Sequence, residues 1–237
     1  MDPGWLAPID AYCERTGAGF WAEPLNAVSN GGFLIAAGAA AWHERSGPVR
    51  NPAALGLAVL AGAVGIGSFL FHTVANRWSM LADVIPIALF IYAYFGLALH
   101  RFFGLPTGAA VTATLAFAGL NVGFAPGLDA LTGRSTSALS NGSIDYVPAV
   151  SALFCVGSAL RFGRSGAAHR RTGRAILGIG ALFLVSLTFR TIDAAACSSL
   201  PAGTHALWHL LNAAVLYALI VAATDFPDDD GRSPRSA

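Results

Sequence analysis

Residues 53–73 read AALGLAVLAGAVGIGSFLFHT, which is 21 consecutive residues without a charged side chain. A helix that crosses a bilayer needs roughly 20 mostly apolar residues, so this stretch predicts a membrane-spanning helix. Six other stretches are similarly apolar, and none shows the alternating pattern of a membrane β-strand. The sequence therefore predicts an all-α integral membrane protein, a seven-helix transmembrane bundle. Its predicted helices, numbered 1 to 7 along the chain, cover residues 25–42, 53–73, 80–99, 105–128, 145–160, 174–193 and 204–223.

The overall composition also indicates a membrane protein. Hydrophobic residues make up 55% of the chain and charged residues 11%, less than half of the roughly 25% that is typical of soluble domains. The net charge of +1 provides no basic surface for nucleic acid, and no feature indicates an obligate protein partner. We expect a single membrane domain at residues 1–224 and a disordered cytoplasmic tail at residues 225–237, DFPDDDGRSPRSA.

The fourteen basic residues, all arginines, are divided unevenly between the two ends of the predicted helices. Four fall on the side of the N-terminus and ten on the opposite side, where the C-terminus lies. Because the cytoplasmic loops of membrane proteins are enriched in arginine, this bias predicts an N-terminus outside and a C-terminus in the cytoplasm.

Polar side chains collect at the outer ends of three predicted helices: Ser68 and His72 in helix 2, Asp83 in helix 3, and His205 and His209 in helix 7. The spacing of four residues places both imidazoles of helix 7 on one face. With His72 as third ligand they would form a zinc site whose fourth position stays open for water, as in catalytic zinc sites. The alternative is that these histidines are hydrogen-bonded core residues or interfacial polar residues.

Three acidic or basic residues near these histidines have alternative explanations. Asp83 lies eleven residues after His72 and could act as a base for water, as a proton shuttle, or as a partner that fixes a histidine tautomer. It could also simply cap the N-terminus of helix 3. Arg190 and Asp193 are three residues apart at the outer end of helix 6 and could pair with each other.

A second polar cluster precedes helix 1 and comprises Asp10, Glu14, Glu23 and Asn26. Carboxylate and amide oxygens are the ligands that calcium prefers, so this cluster predicts a calcium site. The alternative is an ordinary acidic segment that is solvated at the membrane surface.

Two of the three cysteines, Cys13 and Cys197, fall on the outer side in this topology. That side is oxidising, and a disulfide between them would tie the N-terminal segment to the connection that leads into His205. The third cysteine lies in the middle of helix 5.

Three stretches of the chain resemble the alkaline ceramidase family: YCER at 12–15 with WAEPLNAVSN at 21–30, GIGSFLFHTVANRWSMLADVIP at 65–86, and TIDAAACSSLPAGTHALWHLLNAAVLY at 191–217. That family belongs to a superfamily of seven-helix membrane hydrolases that also includes adiponectin-receptor-like proteins. The resemblance covers the N-terminal segment and helices 1 to 3, 6 and 7, whereas helices 4 and 5 are similar only in hydropathy. Its most specific element is a serine and histidine four residues apart, followed by an aspartate and by the paired histidines of helix 7.

The resemblance implies that His72, His205 and His209 bind zinc, with Ser68 and Asp83 beside the metal. It implies hydrolysis of the amide bond of a membrane lipid, ceramide or a ceramide-like sphingolipid, with Asp83 as proton carrier and Ser68 as a donor to the oxyanion. The acyl chain would lie in the apolar interior among helices 2 to 6. The composition, with arginine only and no sorting signal, suggests a bacterial relative in the inner membrane, with its active site toward the periplasm.

The resemblance also implies an N-terminal calcium site, formed by Glu14 and Glu23 and less directly by Asp10 and Asn26. The family's segment is richer in acids and has a tryptophan where this chain has Tyr12; after Glu14 this chain has Arg15 and Thr16.

Two other functions compete with the amidase. The first is a non-catalytic lipid receptor or transporter, in which the histidines form a structural metal site. The second is a lipid esterase or phospholipase built on the same scaffold.

Overall fold

The computed structural model describes residues 3–47, 51–163 and 166–227, and they form a bundle of helices. A short 3₁₀ helix, Pro3–Leu6, precedes the first α-helix, and a second one, Ser143–Tyr146, leads into α7. The α-helices are α1 Pro24–Ser29, α2 Gly31–Ser46, α3 Pro52–Val74, α4 Arg77–Phe103, α5 Thr107–Thr132, α6 Thr136–Leu139, α7 Val147–Phe162, α8 Ala167–Ala196 and α9 His205–Thr224.

Six helical segments among the described residues are long and apolar enough to cross a membrane: α3, α4, α5, α7 with its preceding 3₁₀ turn, α8 and α9. They coincide with predicted helices 2 to 7, so the protein is a membrane helix bundle. Large apolar side chains on the outer surface, such as Val59, Leu115 and Val122, are more than 60% exposed and would face lipid.

Predicted helix 1 is different, because the structure divides it into α1 and α2 at Asn30. The cause is local: the side chains of Ser29 and Asn30 both donate hydrogen bonds to the backbone carbonyl of Asn26, at 2.9 and 2.7 Å. The backbone N–H of Asn30 bonds instead to the carbonyl of Ala27, three residues earlier. Side chains that compete in this way for a helical carbonyl interrupt the regular pattern.

The packing of α3 against its neighbours depends on two glycines. A Cβ atom at Gly67 would overlap the backbone carbonyl of Ala82 in α4, and one at Gly65 would come within 2.9 Å of the Phe33 Cβ in α2. Helices α2 and α4 therefore both pack closely against the backbone of α3, near the end that carries Ser68.

The start of α4 corrects one interpretation of Asp83. The helix begins at Arg77, three residues before the predicted boundary, and its N-cap is Asn76. The side chain of Asn76 accepts from Ser79 N, and the Ser79 hydroxyl accepts from Asn76 N, which forms a reciprocal capping box. Asp83 lies in the second turn and is not the cap.

The C-terminal residues that the structure describes, 225–227, belong to the packed bundle. Asp225 is 2.8 Å from His43 Nε2, and Phe226 is buried against Phe102 with ring centroids 5.0 Å apart. The remainder of the predicted tail, residues 228–237, lies outside the described residues.

Candidate metal centre

Three histidines from two helices meet in the interior at one end of the bundle. His72 lies in the last turn of α3, while His205 and His209 lie in the first two turns of α9. Each is at most 2% exposed, and one ring nitrogen from each lies within 4.8 Å of the other two. This histidine cluster (His72, His205 and His209) could hold a metal ion.

Hydrogen bonds orient two of these imidazoles. His72 Nδ1 lies 2.6 Å from Glu23 Oε2, and His209 Nδ1 lies 2.7 Å from Ser29 Oγ. The Ser29 hydroxyl donates its only hydrogen to the Asn26 carbonyl, so it accepts from His209, and the carboxylate of Glu23 likewise accepts from His72. Both rings therefore carry their hydrogen on Nδ1 and keep a lone pair on Nε2.

The unpartnered nitrogens fit a metal ion. Among the residues that the structure describes, His72 Nε2 and His205 Nδ1 are fully buried and have no hydrogen-bond partner. A buried polar atom without a partner is costly, and most are satisfied in folded proteins. Neutral imidazole is a ligand for zinc and other transition metals, and ligating histidines usually donate their second N–H to a carboxylate or another acceptor. The donor set therefore fits a zinc-like ion.

Asp193 positions the start of α9, where His205 lies. Its Oδ1 accepts hydrogen bonds from the backbone N–H groups of Thr204, at 2.6 Å, and His205, at 3.0 Å, while Oδ2 accepts from Cys13 N at 3.1 Å. The side chain of Thr204 does not cap the helix, so this carboxylate from α8 satisfies the orphan N–H groups in its place.

The predicted pairing of Arg190 with Asp193 is wrong, because the structure gives each residue other partners. Arg190 Nη1 donates to the Tyr12 hydroxyl at 3.0 Å, and the guanidinium lies 5.5 Å from the ring centroid of Tyr146 and 5.6 Å from that of Trp208. Tyr12 in turn stacks on His205 with ring centroids 3.7 Å apart. Arg190 and Tyr12 thus form one wall of the histidine cluster.

The side chains of Ser68 and Asp83 meet beside the histidine cluster. Ser68 is buried on the same face of α3 as His72, one turn earlier, and its side chain interacts with the Asp83 carboxylate. The Asp83 Oδ1 atom is buried and has no partner among the described residues. Ser68 directly follows Gly67 and Asp83 directly follows Ala82, so the close approach of Gly67 to Ala82 brings the side chains of Ser68 and Asp83 together.

The four residues of the predicted calcium cluster have separate roles. Both oxygens of Glu14 accept backbone N–H groups at the start of α1, those of Leu25 and Asn26, at 2.7 Å each. Glu23 bonds His72 and also accepts from Asn26 Nδ2 at 3.0 Å. Asp10 is exposed. The structure thus uses Glu14 as a helix cap and Glu23 as a partner of the histidine cluster.

Glu23 is held in its ionised form. Burial alone would raise the pKa of the Glu23 carboxyl, but the hydrogen bond from His72, with further bonds from Asn26 and Arg15, holds the pKa below its usual value. Arg15 Nε lies 2.5 Å from Glu23 Oε1, and both side chains are at most 5% exposed.

The predicted disulfide between Cys13 and Cys197 is confirmed. It joins the N-terminal segment to the end of α8, next to the Asp193 carboxylate that bonds Cys13 N. Tyr12 and Glu14, which flank Cys13, are thereby held against the histidine cluster and α1.

Sequence reasoning missed three residues that act on the histidine cluster: Tyr12, Ser29 and Asp193. Tyr12 and Ser29 belong to the family-like stretches, but neither forms a recognisable metal-ligand pattern with the histidines. The spacing of Asp193 relates it only to Arg190, which suggested a pair. A search for partners of the first N–H groups of helix 7 could have identified it, since Thr204 and His205 require an acceptor.

An apolar cavity extends into the bundle from the neighbourhood of the histidine cluster. The cavity lies between α4, α5, α7, α8 and α9. Most of its lining is aliphatic or aromatic, including Phe95, Phe117 and Leu216, and Asn212 lines it one turn along α9 from His209. The sequence placed the acyl chain among predicted helices 2 to 6. The cavity is lined instead by predicted helices 3 to 7, because α9 contributes to its lining and α3 does not.

These features define the class to which the protein belongs: helical membrane proteins with a buried cluster of histidines that could hold a metal ion, beside an apolar cavity. The comparison with family models makes the assignment specific. The model described as Ceramidase matches residues 10–227, and the chain belongs to that family. A comparison with the curated proteins gives no match.

Proposed function

We propose that the protein is a zinc-dependent amidase of the membrane interior, which hydrolyses the N-acyl bond of ceramide or a ceramide-like lipid to a free fatty acid and an amino-alcohol base. The observation that carries the proposal is the buried histidine cluster with unpartnered nitrogens, beside the Ser68–Asp83 pair. Membership in the ceramidase family supports the choice of reaction and substrate class.

The histidine cluster is the proposed zinc site, held by His72, His205 and His209. When bound, zinc supplies Lewis acidity, which polarises a carbonyl group and lowers the pKa of water to about 7. Glu23 and Ser29 hold the imidazoles of His72 and His209 in the tautomer whose Nε2 can bind the ion, and Asp193 anchors the start of α9, where His205 lies.

Asp83 is the proposed proton carrier. Its Oδ1 atom has no partner among the described residues, so it is available to accept a proton from the attacking water and to deliver it to the nitrogen of the leaving amine.

Ser68 is the proposed donor to the oxyanion. Its side chain interacts with that of Asp83, so the two groups lie side by side. Rotation of the O–H bond toward the scissile carbonyl oxygen would supply one hydrogen bond where negative charge develops, a contribution of about 3 to 4 kcal/mol in comparable sites.

The apolar cavity is the proposed site for the acyl chain. Its lining of aliphatic and aromatic side chains favours a hydrocarbon chain over a charged group. Asn212 lies at the end nearest His209, so a chain in the cavity would place its carbonyl end toward the zinc site.

We further propose that α1 and α2 together form a first crossing, which makes seven crossings with the N-terminus outside and the C-terminus in the cytoplasm. Residues of α2 such as Ile35 and Trp42 are more than 75% exposed, as lipid-facing side chains would be. The Cys13–Cys197 disulfide lies at the end of the bundle that carries the histidine cluster, and disulfides form in oxidising compartments. An active site at the periplasmic face of a bacterial inner membrane is consistent with both features.

The test is an acyl-release assay on purified protein with ceramide and phosphatidylcholine side by side, together with metal analysis. We expect one zinc per chain and release of fatty acid and base from ceramide. His209→Ala should remove both zinc and activity, whereas His100→Ala, at the far end of α4, should change neither.

The assay also separates the competing functions. Release of fatty acid from phosphatidylcholine alone would replace the amidase with a lipid esterase. Stoichiometric zinc with no hydrolysis of either lipid would favour a receptor or transporter with a structural metal site.

A further inference from the structure

Arg15 occupies the position at which a cation would be expected in the N-terminal polar cluster. The resemblance to the ceramidase family implies a calcium ion bound by Glu14, Glu23 and their neighbours. In this chain both oxygens of Glu14 are engaged by backbone N–H groups of α1, and Asp10 is exposed. Glu23 is the remaining buried carboxylate of the cluster, and its Oε1 faces the guanidinium of Arg15.

The guanidinium is bound entirely by oxygen atoms. Its Nε donates to Glu23 Oε1 at 2.5 Å, Nη1 to the Gly17 carbonyl at 3.0 Å, and Nη2 to the His72 carbonyl at 3.0 Å. A carboxylate and backbone carbonyls are the ligands that calcium itself would select. Arg15 therefore already satisfies the oxygens that a calcium ion would need, and it carries the compensating positive charge.

We propose that Arg15 replaces calcium in this protein as a resident cation, and that it positions the zinc ligand His72 through Glu23. One carboxylate joins the two: Oε1 of Glu23 binds Arg15, and Oε2 binds His72 Nδ1. Arg15 also bonds the backbone carbonyl of His72, so it holds both the side chain and the main chain of that residue. The protein consequently needs no calcium to assemble its zinc site.

Glu23 depends on the positive charge of Arg15 because the Glu23 side chain is buried, with 2% of it exposed. A buried carboxylate requires a compensating charge and hydrogen bonds, and the loss of one member of a buried pair leaves the other uncompensated. Without Arg15, the carboxylate would be drawn toward water or another donor and would no longer orient the His72 ring. The proposal rests on the proposed zinc site, and its test measures zinc affinity without any assay of hydrolysis.

The experiment measures zinc affinity by chelator competition in the purified full-length protein and in three variants. Arg15→Gln, which keeps hydrogen-bonding groups but removes the charge, should weaken zinc binding about 10- to 100-fold, as loss of a ligand's supporting contacts usually does. Arg15→Lys, which restores the charge, should recover most of that loss. The control Arg77→Gln, at the exposed start of α4, should bind zinc as the unchanged protein does.

In a second arm, the unchanged protein is prepared without calcium and then titrated with calcium up to about 5 mM. That concentration exceeds the dissociation constants of weak extracellular calcium modules. Zinc affinity and the thermal unfolding temperature should stay constant, and calorimetry should show no calcium binding. Stoichiometric calcium binding, or unchanged zinc affinity in Arg15→Gln, would overturn the proposal. If Arg15→Gln fails to fold, the Lys variant and the calcium titration still decide it. A chain that binds no zinc at all would instead disprove the proposed function.

Discussion

Gly67 packs directly against the backbone carbonyl of Ala82, so that α3 and α4 touch without an intervening side chain. Ser68 and Asp83 follow these two residues in sequence, and their side chains interact with each other. The geometry of the proposed catalytic pair thus depends on a residue that has no side chain.

Gly67→Ala should therefore disrupt activity without altering any catalytic group. The new methyl group would overlap the Ala82 carbonyl and force α3 away from α4, which costs about 1–3 kcal/mol in typical overpacked sites. We expect a lower unfolding temperature and a large loss of turnover. Gly62→Ala in the same helix is the control, because its nearest neighbour would be the Ala37 Cβ at an ordinary 3.7 Å. Equal behaviour of the two variants would show that the close approach is unimportant.

Replacement of the catalytic pair should leave zinc bound. Asp83→Asn keeps the shape of the side chain but removes the base, and turnover should fall by roughly 10² to 10⁴. Ser68→Ala removes the oxyanion donor, with an expected loss of about 10² to 10³. Rate measurements at saturating substrate, together with zinc analysis of each variant, test both roles. Loss of zinc in Asp83→Asn would make Asp83 a ligand or a structural residue instead.

Asp193→Ala should weaken zinc binding although Asp193 does not face the metal. The substitution leaves the N–H groups of Cys13, Thr204 and His205 without their acceptor. Each buried group without a partner costs about 1–3 kcal/mol of stability. The start of α9 would then be free to shift and carry His205 with it.

The control is Asp129→Ala, since Asp129 also accepts a backbone N–H, that of Thr136, and no described contact joins it to the three histidines. Chelator competition should show reduced zinc affinity only for Asp193→Ala. An effect of similar size in both variants would mean that general destabilisation, rather than the position of α9, controls the site.

A bulky residue in the apolar cavity should change the preferred length of the acyl chain. Ala152 lines the cavity on α7, so Ala152→Phe should lower turnover of long-chain ceramide about tenfold or more while short-chain analogues are still cleaved. Ala159→Phe, which points outward from the same helix, is the control and should keep the original preference. Uniform loss across all chain lengths would place the acyl chain elsewhere.

The proposed orientation is tested by labelling single cysteines with a membrane-impermeant maleimide. Arg134→Cys should react from outside and Arg170→Cys only after the cytoplasmic side is opened, in a Cys155→Ala background; both positions are exposed. The expectation follows from the arginine bias and from the need of the disulfide for an oxidising compartment. Labelling of position 170 from outside would reverse the topology and move the histidine cluster to the cytoplasmic face.

Local patterns in the sequence were enough to predict most of the membrane architecture and the end of the bundle where the polar residues meet. Hydropathy over about 20 residues is a local property. It predicted six of the spans, and most of their predicted ends lie within a few residues of the ends in the structure. Helical periodicity is equally local, so the four-residue spacings of Ser68 with His72 and of His205 with His209 suffice to assign each pair to a single helical face.

The partners of these residues could be identified only from the folded structure. Ser29 and His209 are 180 residues apart, and Glu23 and His72 are 49 apart, so no local pattern relates them. The same acidic residues that predicted calcium became a helix cap and a histidine partner, because the fold placed N–H groups at Glu14 and Arg15 at Glu23. Packing brings such groups within hydrogen-bonding distance, and that distance, rather than residue type, determines what a buried carboxylate does.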